Sequence, residues 1–495
     1  MNKYLLYFIV FICGGAVLAI EILGTRIIGP FYGVSLFLWS ALISVTLIAL
    51  SAGYMIGGRI ADKKKSLNIL SFIIGLSGII MLSIPLARDG VIEISEFMGL
   101  RASVLISSFI LFFPPLLLLG MVSPYAVKLR ADNLDEIGTN TGDLYAVSTI
   151  GSVLAALLTG FILIPLVGVV KLTLSIGIVL IITAAIAFMS GKNKIIKAAS
   201  VLLIIIPAII SCSFLPSEKA DPGKGIIAVM QSTYGDIRVM DIDENRFFLI
   251  DGGIHTAVNK TTQENILPYV WVLDLTKNMK KYAGDMLLIG LGGGSVFKSF
   301  YNDNWDVDVV EIDPVVTEVG KKYFSLPPDF TINHYDGREF LGKTEKVYDV
   351  IILDAFGSSS VPFHLTTVES FTLAKSRLKN EGLIAVNIEA VGWNDIIVNS
   401  IAATLKEVFI NITVLPISEP PNTLGNVIII ASDGPVELTE EITRDYWNPD
   451  YRFSANYEKN HAWENRFIPD TKNVKILTDD LNPVEIWSER INLQS

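Results

Sequence analysis

The sequence predicts an α-helical membrane bundle followed by an α/β domain of the doubly wound, Rossmann type, with a small β-rich domain between them. Three observations predict it. Apolar runs of the length a bilayer crossing requires, about 20 residues, fill the first 214 residues. From Asp285 to Asp313, DMLLIGLGGGSVFKSFYNDNWDVDVVEID, an apolar strand runs into a glycine cluster, a helix and a second strand that ends in an acid. Beyond it, short continuous apolar runs alternate with helical patterns, as in a sheet covered on both faces.

In chain order, the expected domains are a multi-pass bundle at 1–214, a linker and β-hairpin domain at 215–260, a catalytic α/β domain at 261–432 and an extension at 433–495. Charge divides along the same line. Residues 1–214 carry 14 Lys and Arg against 9 Asp and Glu, whereas 215–495 carry 25 against 41. An acidic second half argues against nucleic acid, whose binders present basic patches. It would suit a cationic substrate, though acidity also serves solubility.

Seven apolar segments are candidate spans, at roughly 4–25, 35–57, 68–87, 102–125, 143–166, 171–190 and 196–214. Small residues such as Gly14, Gly15, Gly151 and Ala155 would let helices approach closely. Pro114 and Pro115 should disturb the fourth span. With seven spans, ten Lys and Arg, among them Lys3, Arg59, Lys128 and Lys197, fall on one side, and Arg26, Arg88, Arg101 and Lys171 on the other. The charge bias then puts the N-terminus in the cytoplasm and the soluble domain outside. A nucleotide-type ligand is made inside, so a catalytic domain on the cytoplasmic face is the expectation adopted, with the seventh run not crossing.

Ser217–Gly225 is a polar linker. Short strands follow at 226–231, 235–240 and 246–250, with a turn at Asp243–Asn245, and then a helix over 263–278. Strands are expected near 286–289, 307–310, 330–333, 349–353, 383–388, 411–415 and 426–431. Helices fit at 295–302, 314–323, 338–343, 367–378 and 393–407. Four polar clusters end these strands: Gly290–Ser295, Glu311–Asp313, Asp336-Gly337 and Asp354–Ser360. Ligands of such sheets sit at the carboxyl ends of the strands. Glycines permit a tight turn with the backbone close to the ligand. Glu311, about 20 residues on, can accept from both ribose hydroxyls. Two cysteines, Cys13 and Cys212, and four scattered histidines offer neither a disulfide framework nor a metal site.

The motifs QSTYGDIRV, FFLIDGGIHT, LLIGLGGGS, VVEIDPVV, HYDGREFL and YDVIILDAFG occur in this order between Gln231 and Ser432. Their residues resemble the spermidine/spermine synthase family of aminopropyltransferases, and the whole chain resembles the membrane-fused branch of it. The resemblance implies a SAM-methyltransferase-like sheet with a small N-terminal β-domain. It implies that Gly290, Gly292, Gly293 and Gly294 hold the methionine-derived part of decarboxylated S-adenosylmethionine, with Asp313 and Gly337 beside the nucleoside. Glu311 would bind the ribose, Asp336 the adenine amino group, and Asp354 would be the catalytic carboxylate. Gln231 and Tyr234 match the family's substrate-side motif loosely. Two family aspartates are replaced, by Gly293 and Gly357, and a family glutamine by His255. Asp236, Glu264 and Glu389 are stand-ins by position, and His364 is a polar substrate contact or a structural histidine.

The implied reaction moves an aminopropyl group from decarboxylated S-adenosylmethionine to putrescine or another amine, without a metal. An ammonium cannot attack, and a carboxylate at a strand end can take or steer its proton and orient the amine. The alternatives are a methyltransferase using intact S-adenosylmethionine, and a non-catalytic membrane module that senses a nucleoside or polyamine. Expected partners are a small-molecule amine, the lipid bilayer and a second copy of the chain as a homodimer.

Overall fold

A computed structural model of the chain describes residues 3–32, 36–130, 137–190, 220–355, 362–417, 421–443 and 454–487. The seventh apolar run, Gly357, Trp447 and Tyr451 lie outside the described residues. The chain forms two compact units, Met1–Lys219 with Gln231–Gly235, and Ala220–Met230 with Asp236–Ser495.

The helical unit comprises α1 (Lys3–Tyr32), α2 (Leu36–Lys63), α3 (Leu67–Ser95), α4 (Leu100–Gly120), α5 (Val122–Arg130), α6 (Ile137–Leu158), α7 (Ile164–Val167) and α8 (Val169–Met189). Among the described residues, six helical stretches are long and apolar enough to cross a membrane. α1 packs on α6, α2 on α4 and α3 on α8. The α1–α6 contact depends on small residues. A Cβ on Gly151 would overlap the Phe11 carbonyl, and Ser152 Oγ donates to the Gly14 carbonyl at 2.8 Å. Gly151→Leu is therefore expected to push α6 off α1 and lower the thermal midpoint by several degrees in detergent. An unchanged midpoint would contradict this packing. At one end of these helices Tyr7 of α1 donates to Asp143 of α6 at 2.8 Å, and Arg130 of α5 donates to the same carboxylate at 3.2 Å.

The second unit opens with a four-stranded sheet in the order β1 (Ile226–Gln231), β2 (Asp236–Ile242), β3 (Asn245–Ile250) and β4 (Gly253–Asn259). The expected turn between β2 and β3 is present, with Asp243 at φ 52°. β4 was not expected. Asp251-Gly252 makes a second tight turn and does not end the sheet, and β4 pairs antiparallel with β3. The helix expected over 263–278 begins instead at Pro268. Proline suits the first helical turn, where its missing N–H leaves no bond unmade. The residues before it form a loop in which Asn265 bridges to Val258.

A seven-stranded sheet follows, ordered β10-β11-β9-β8-β5-β6-β7. Its strands are β5 (Asp285–Ile289), β6 (Asp306–Val310), β7 (Ile332–Asn333), β8 (Tyr348–Leu353), β9 (Leu378–Val391), β10 (Asn411–Pro416) and β11 (Leu424–Ser432). β9-β8-β5-β6-β7 run parallel, and β10 and β11 are antiparallel additions. The unbroken apolar runs follow from burial on both faces. Met286 and Leu288 point into the core shared with the four-stranded sheet, whereas Leu287 and Ile289 point into the core beneath the helix Ile396–Lys406. Phe248 of β3 and Val258 of β4 join the first of these cores beside Phe297 and Phe324.

Candidate functional site

From β5 the chain moves to β6 and β7 on one side, then returns to β8 and β9 on the other. The carboxyl ends of β5 and β8 therefore flank the topological switch point, where open α/β sheets hold ligands. Asp354 N donates to the Ile289 carbonyl at 2.8 Å, which locks the two strand ends together. Gly290 leaves β5 at φ 95°, and a Cβ there would overlap the Asp354 carbonyl. Both the left-handed conformation and the close approach require glycine. Gly294, at φ 83°, caps the helix Ser295–Asn302.

Gly293 occupies the position where the resemblance placed an aspartate. Its N–H donates to Thr256 Oγ1 of β4 at 2.8 Å. A Cβ at Gly293 would meet Thr256 Cγ2 at 2.8 Å and Phe324 Cδ1 at 3.1 Å. A side chain at position 293 would therefore require Thr256 or Phe324 to shift.

Glu311, at the end of β6, is buried, with both oxygens fixed by the backbone. Leu291 N of the glycine loop donates to Oε2 at 3.0 Å and Asp313 N donates to Oε1 at 2.9 Å. A carboxylate offers about four acceptor sites, so the group can still accept from a hydroxyl beside these N–H bonds. Burial pushes the Glu311 carboxyl up to about 7 against the lowering effect of these N–H bonds. Asp313 caps the helix Pro314–Tyr323 through Val315 N at 2.9 Å.

Asp336 caps the helix Gly337–Lys343, its Oδ1 accepting from Arg338 N at 2.9 Å and Glu339 N at 3.1 Å. Its Oδ2 lies 2.8 Å from His364 Nε2. The His364 bond, ahead of the backbone bonds, holds the Asp336 carboxyl below its usual range. Gly337 carries no side chain because a Cβ would overlap Ile289.

Asp354 stands at the end of β8. Asn387 Nδ2 of β9 donates to Oδ1 at 2.8 Å, and Tyr269 OH reaches Oδ2 at 3.4 Å. Asn426 Nδ2 of β11 in turn donates to Asn387 Oδ1 at 3.0 Å. Burial pushes the Asp354 carboxyl up to about 7, against the lowering effect of the Asn387 and Tyr269 bonds. Burial and then the neighbouring Asp354 charge push the Tyr269 phenol well above its usual range. A carboxylate poised near neutral pH, oriented by an amide on one oxygen and a phenol on the other, can take a proton and return it.

The remaining expected residues take separate places. His255 is the extra residue of a β-bulge in β4, since Phe248 pairs with Thr256 and Leu249 with Ile254. Bulges re-aim side chains. Burial pushes the His255 imidazole down to about 4, so it is neutral at physiological pH, and its Nε2 has no hydrogen-bond partner among the described residues. Its carbonyl lies 3.5 Å from Tyr269 OH. Glu264 is exposed in the loop after β4, 3.2 Å from Thr262 Oγ1. Gln231 ends β1 and Tyr234 sits in the turn before β2, both in the segment grouped with the helical unit. Asp236 pairs with Arg238 at 2.7 Å.

Sequence reasoning missed Thr256, Tyr269, Asn387 and Asn426. Tyr269 lies within the helix expected over 263–278, and the two asparagines lie within strands expected near 383–388 and 426–431. The available signal was the amide in the otherwise apolar run Leu383–Ile388, where an unpaired polar group would be costly.

Residues 269–440 match the spermine/spermidine synthase domain family. The chain is 29% identical over 155 residues to a probable polyamine aminopropyl transferase of Bifidobacterium longum, covering 31% of this chain and 34% of that one. It is 30% identical over 192 residues to an N-terminal histidine N-methyltransferase of Emericella nidulans, covering 34% of each. It is 22% identical over 385 residues to polyamine aminopropyltransferase 2 of Aquifex aeolicus, covering 74% of this chain and 76% of that one. The chain thus spans about a third of the first two relatives and about three quarters of the third.

Proposed function

Taking residues 269–440 as a spermine/spermidine synthase domain, we propose that the chain is a membrane-anchored aminopropyltransferase acting on decarboxylated S-adenosylmethionine and a small amine. The observation that carries this reading is the crevice between β5 and β8, with Glu311 on one side and Asp354, raised to about 7, on the other. The six apolar helices support the anchor. The Aquifex match, whose 385 aligned residues are more than the chain has after Lys219, extends the likeness into the helical unit.

In the proposed reaction the amine lone pair attacks the propyl carbon beside the sulfonium. The new N–C bond forms as the C–S bond breaks, and its electron pair stays on sulfur, giving neutral methylthioadenosine. The proton leaving the amine passes to Asp354. Glu311 accepts from the ribose, Asp336 from the adenine amino group, and the glycine loop admits the chain beyond the sulfur. Asp313 and Gly337 hold the backbone of the two nucleoside-binding turns. Asp354 must be ionised to accept a proton, so activity rises with pH through about 7. Asn387→Leu removes a bond to the ionised form. A charge-assisted bond is worth roughly 1.5–3 kcal/mol, so the midpoint of that rise is expected to move up by about one unit or more. A pH–rate profile with an unmoved midpoint would exclude Asp354 as the titrating group.

A second reading, methyl transfer from intact S-adenosylmethionine, is favoured by glycine at position 293, where the resemblance places an aspartate. An aspartate there would repel the carboxylate of the intact donor. Calorimetry on the full chain with both donors, and mass spectrometry of the products with putrescine, separates the two. Methylthioadenosine with an aminopropylated amine supports the first reading, and S-adenosylhomocysteine the second. We also place the domain on the cytoplasmic face, with six crossings returning the chain to the side of its N-terminus. Cys13 and Cys212 both precede the soluble domain, so the test uses a chain with both replaced and a single cysteine introduced at the exposed Lys281 (Lys281→Cys). Labelling of that cysteine in intact cells by an impermeant reagent overturns the placement.

A further inference from the structure

Among the described residues of the C-terminal extension, the stretch Leu477–Asn482 is bound along its length to the segment that carries His364. Val368 N donates to the Leu477 carbonyl at 2.9 Å, and Leu477 N to Thr404 Oγ1 at 2.9 Å. A tight turn follows, closed by Thr478 N and Leu481 N, each donating to the other's carbonyl at 3.2 Å. It presents Asp479, which Arg338 grips with two parallel bonds of 2.7 and 2.6 Å. Thr367 Oγ1 adds a third bond to Asp479 at 2.8 Å. Asn482 Nδ2 donates to the Phe363 carbonyl at 2.8 Å.

Arg338 joins this turn to the nucleoside end of the site. Its backbone N–H donates to Asp336 Oδ1, and its guanidinium reaches the His364 carbonyl at 3.2 Å as well as Asp479. His364 holds the other oxygen of Asp336. Oδ1 of Asp336 is held by the first amides of the helix that carries Arg338, and Oδ2 by His364, whose carbonyl shares the Arg338 guanidinium with Asp479. Two parallel bonds between a guanidinium and a carboxylate fix an orientation in a way that a single exposed ion pair does not.

Resting on the proposed role of Asp336 toward adenine, we infer that Asp479 is a positioning residue: the strap Leu477–Asn482 aims Asp336 through Arg338 and His364, and so sets recognition of the purine amino group. The donor KM and the choice of purine therefore depend on a turn more than 100 residues beyond the adenine-binding motif, while the transfer step at Asp354 does not.

The test uses the full-length protein in detergent, comparing wild type with Asp479→Asn. Affinities for methylthioadenosine and methylthioinosine, which differ at the purine 6-position, are measured beside steady-state kinetics. Asp479→Asn is expected to raise the donor KM by about 5–10-fold, less than the roughly tenfold or more that losing a charge-assisted bond to the donor itself would cause, because Asp479 acts through Arg338 and His364, with kcat within about twofold. Its preference for the adenosine over the inosine compound should fall by a similar factor. Hydrogen exchange at the Val368 amide should rise. An unchanged preference in Asp479→Asn, with the wild type discriminating, overturns the positioning role. Equal loss of both nucleosides together with a lowered melting temperature also overturns it, because that is general destabilisation. A wild type that binds neither nucleoside, or does not discriminate, removes the role of Asp336 and the proposal with it.

Discussion

Asp354→Asn is expected to lower turnover by roughly 10²–10⁴-fold, the range for removal of a general base, while methylthioadenosine affinity stays within a few-fold. The substitution keeps the shape of the side chain. An amide oxygen can still accept from Asn387 Nδ2, which lies 2.8 Å from Oδ1 in the wild type, and an amide nitrogen would then face the Tyr269 hydroxyl. What is lost is basicity, so the amine proton has no acceptor at the strand end. Glu311 and the glycine loop are untouched, and they carry the nucleoside. Single-turnover measurements on the full chain, beside calorimetry with methylthioadenosine, read the two effects separately. Turnover within tenfold of wild type would mean that Asp354 is not the base. Loss of nucleoside binding would mean that it holds the β5–β8 crevice together.

Gly290→Ala is expected to cost stability and nucleoside binding together. Gly290 sits at φ 95°, and the added methyl would overlap the Asp354 carbonyl. A non-glycine residue forced into such a conformation carries about 1–3 kcal/mol of strain. The clash adds to it, because the Asp354 N–H to Ile289 carbonyl bond of 2.8 Å leaves the two strand ends no room to separate. Moving Asp354 also displaces its bonds to Asn387 and Tyr269. Denaturant unfolding should show the loss, and methylthioadenosine should fail to restore it at concentrations that saturate the wild type. A variant as stable as wild type, with full affinity, would show that the turn has another conformation open to it.

The glycine loop, Glu311 and Asp354 were legible because their signals are local. A strand end, a turn that admits only glycine and an acid at a fixed distance follow one another along the chain. The seven strands of the large sheet were legible for a related reason, since burial on both faces leaves unbroken apolar runs. β4 was not, because Asp251-Gly252 ends a strand and starts the next with the same residues. The helix start at Pro268 was obscured by the apolar positions that continue its periodicity backwards to Ile266.

The partners of Asp354 were hidden for a different reason. Tyr269 comes from a helix 85 residues before Asp354, Asn387 from a strand 33 residues after it and Asn426 from a strand 39 residues further on, and nothing along the chain marks them as neighbours. Thr256 at Gly293 belongs to the same class. The sequence shows only a glycine at 293, and only packing shows that Thr256 and Phe324 stand close enough to meet a Cβ there. The extension at 433–495 carries no motif in the sequence, whereas the turn at Asp479 reaches Arg338 and Thr367.

The sequence by itself therefore determined the split into an apolar helical part and an acidic α/β part, and the identity of the two carboxylates at the strand ends, since hydropathy, periodicity and turn stereochemistry act over a few residues. Only the tertiary structure decided what surrounds those carboxylates. Side chains distant along the chain met at one crevice, and their contacts set how far burial could raise Asp354 and Glu311 towards neutral pH, because desolvation depends on everything packed around a charge.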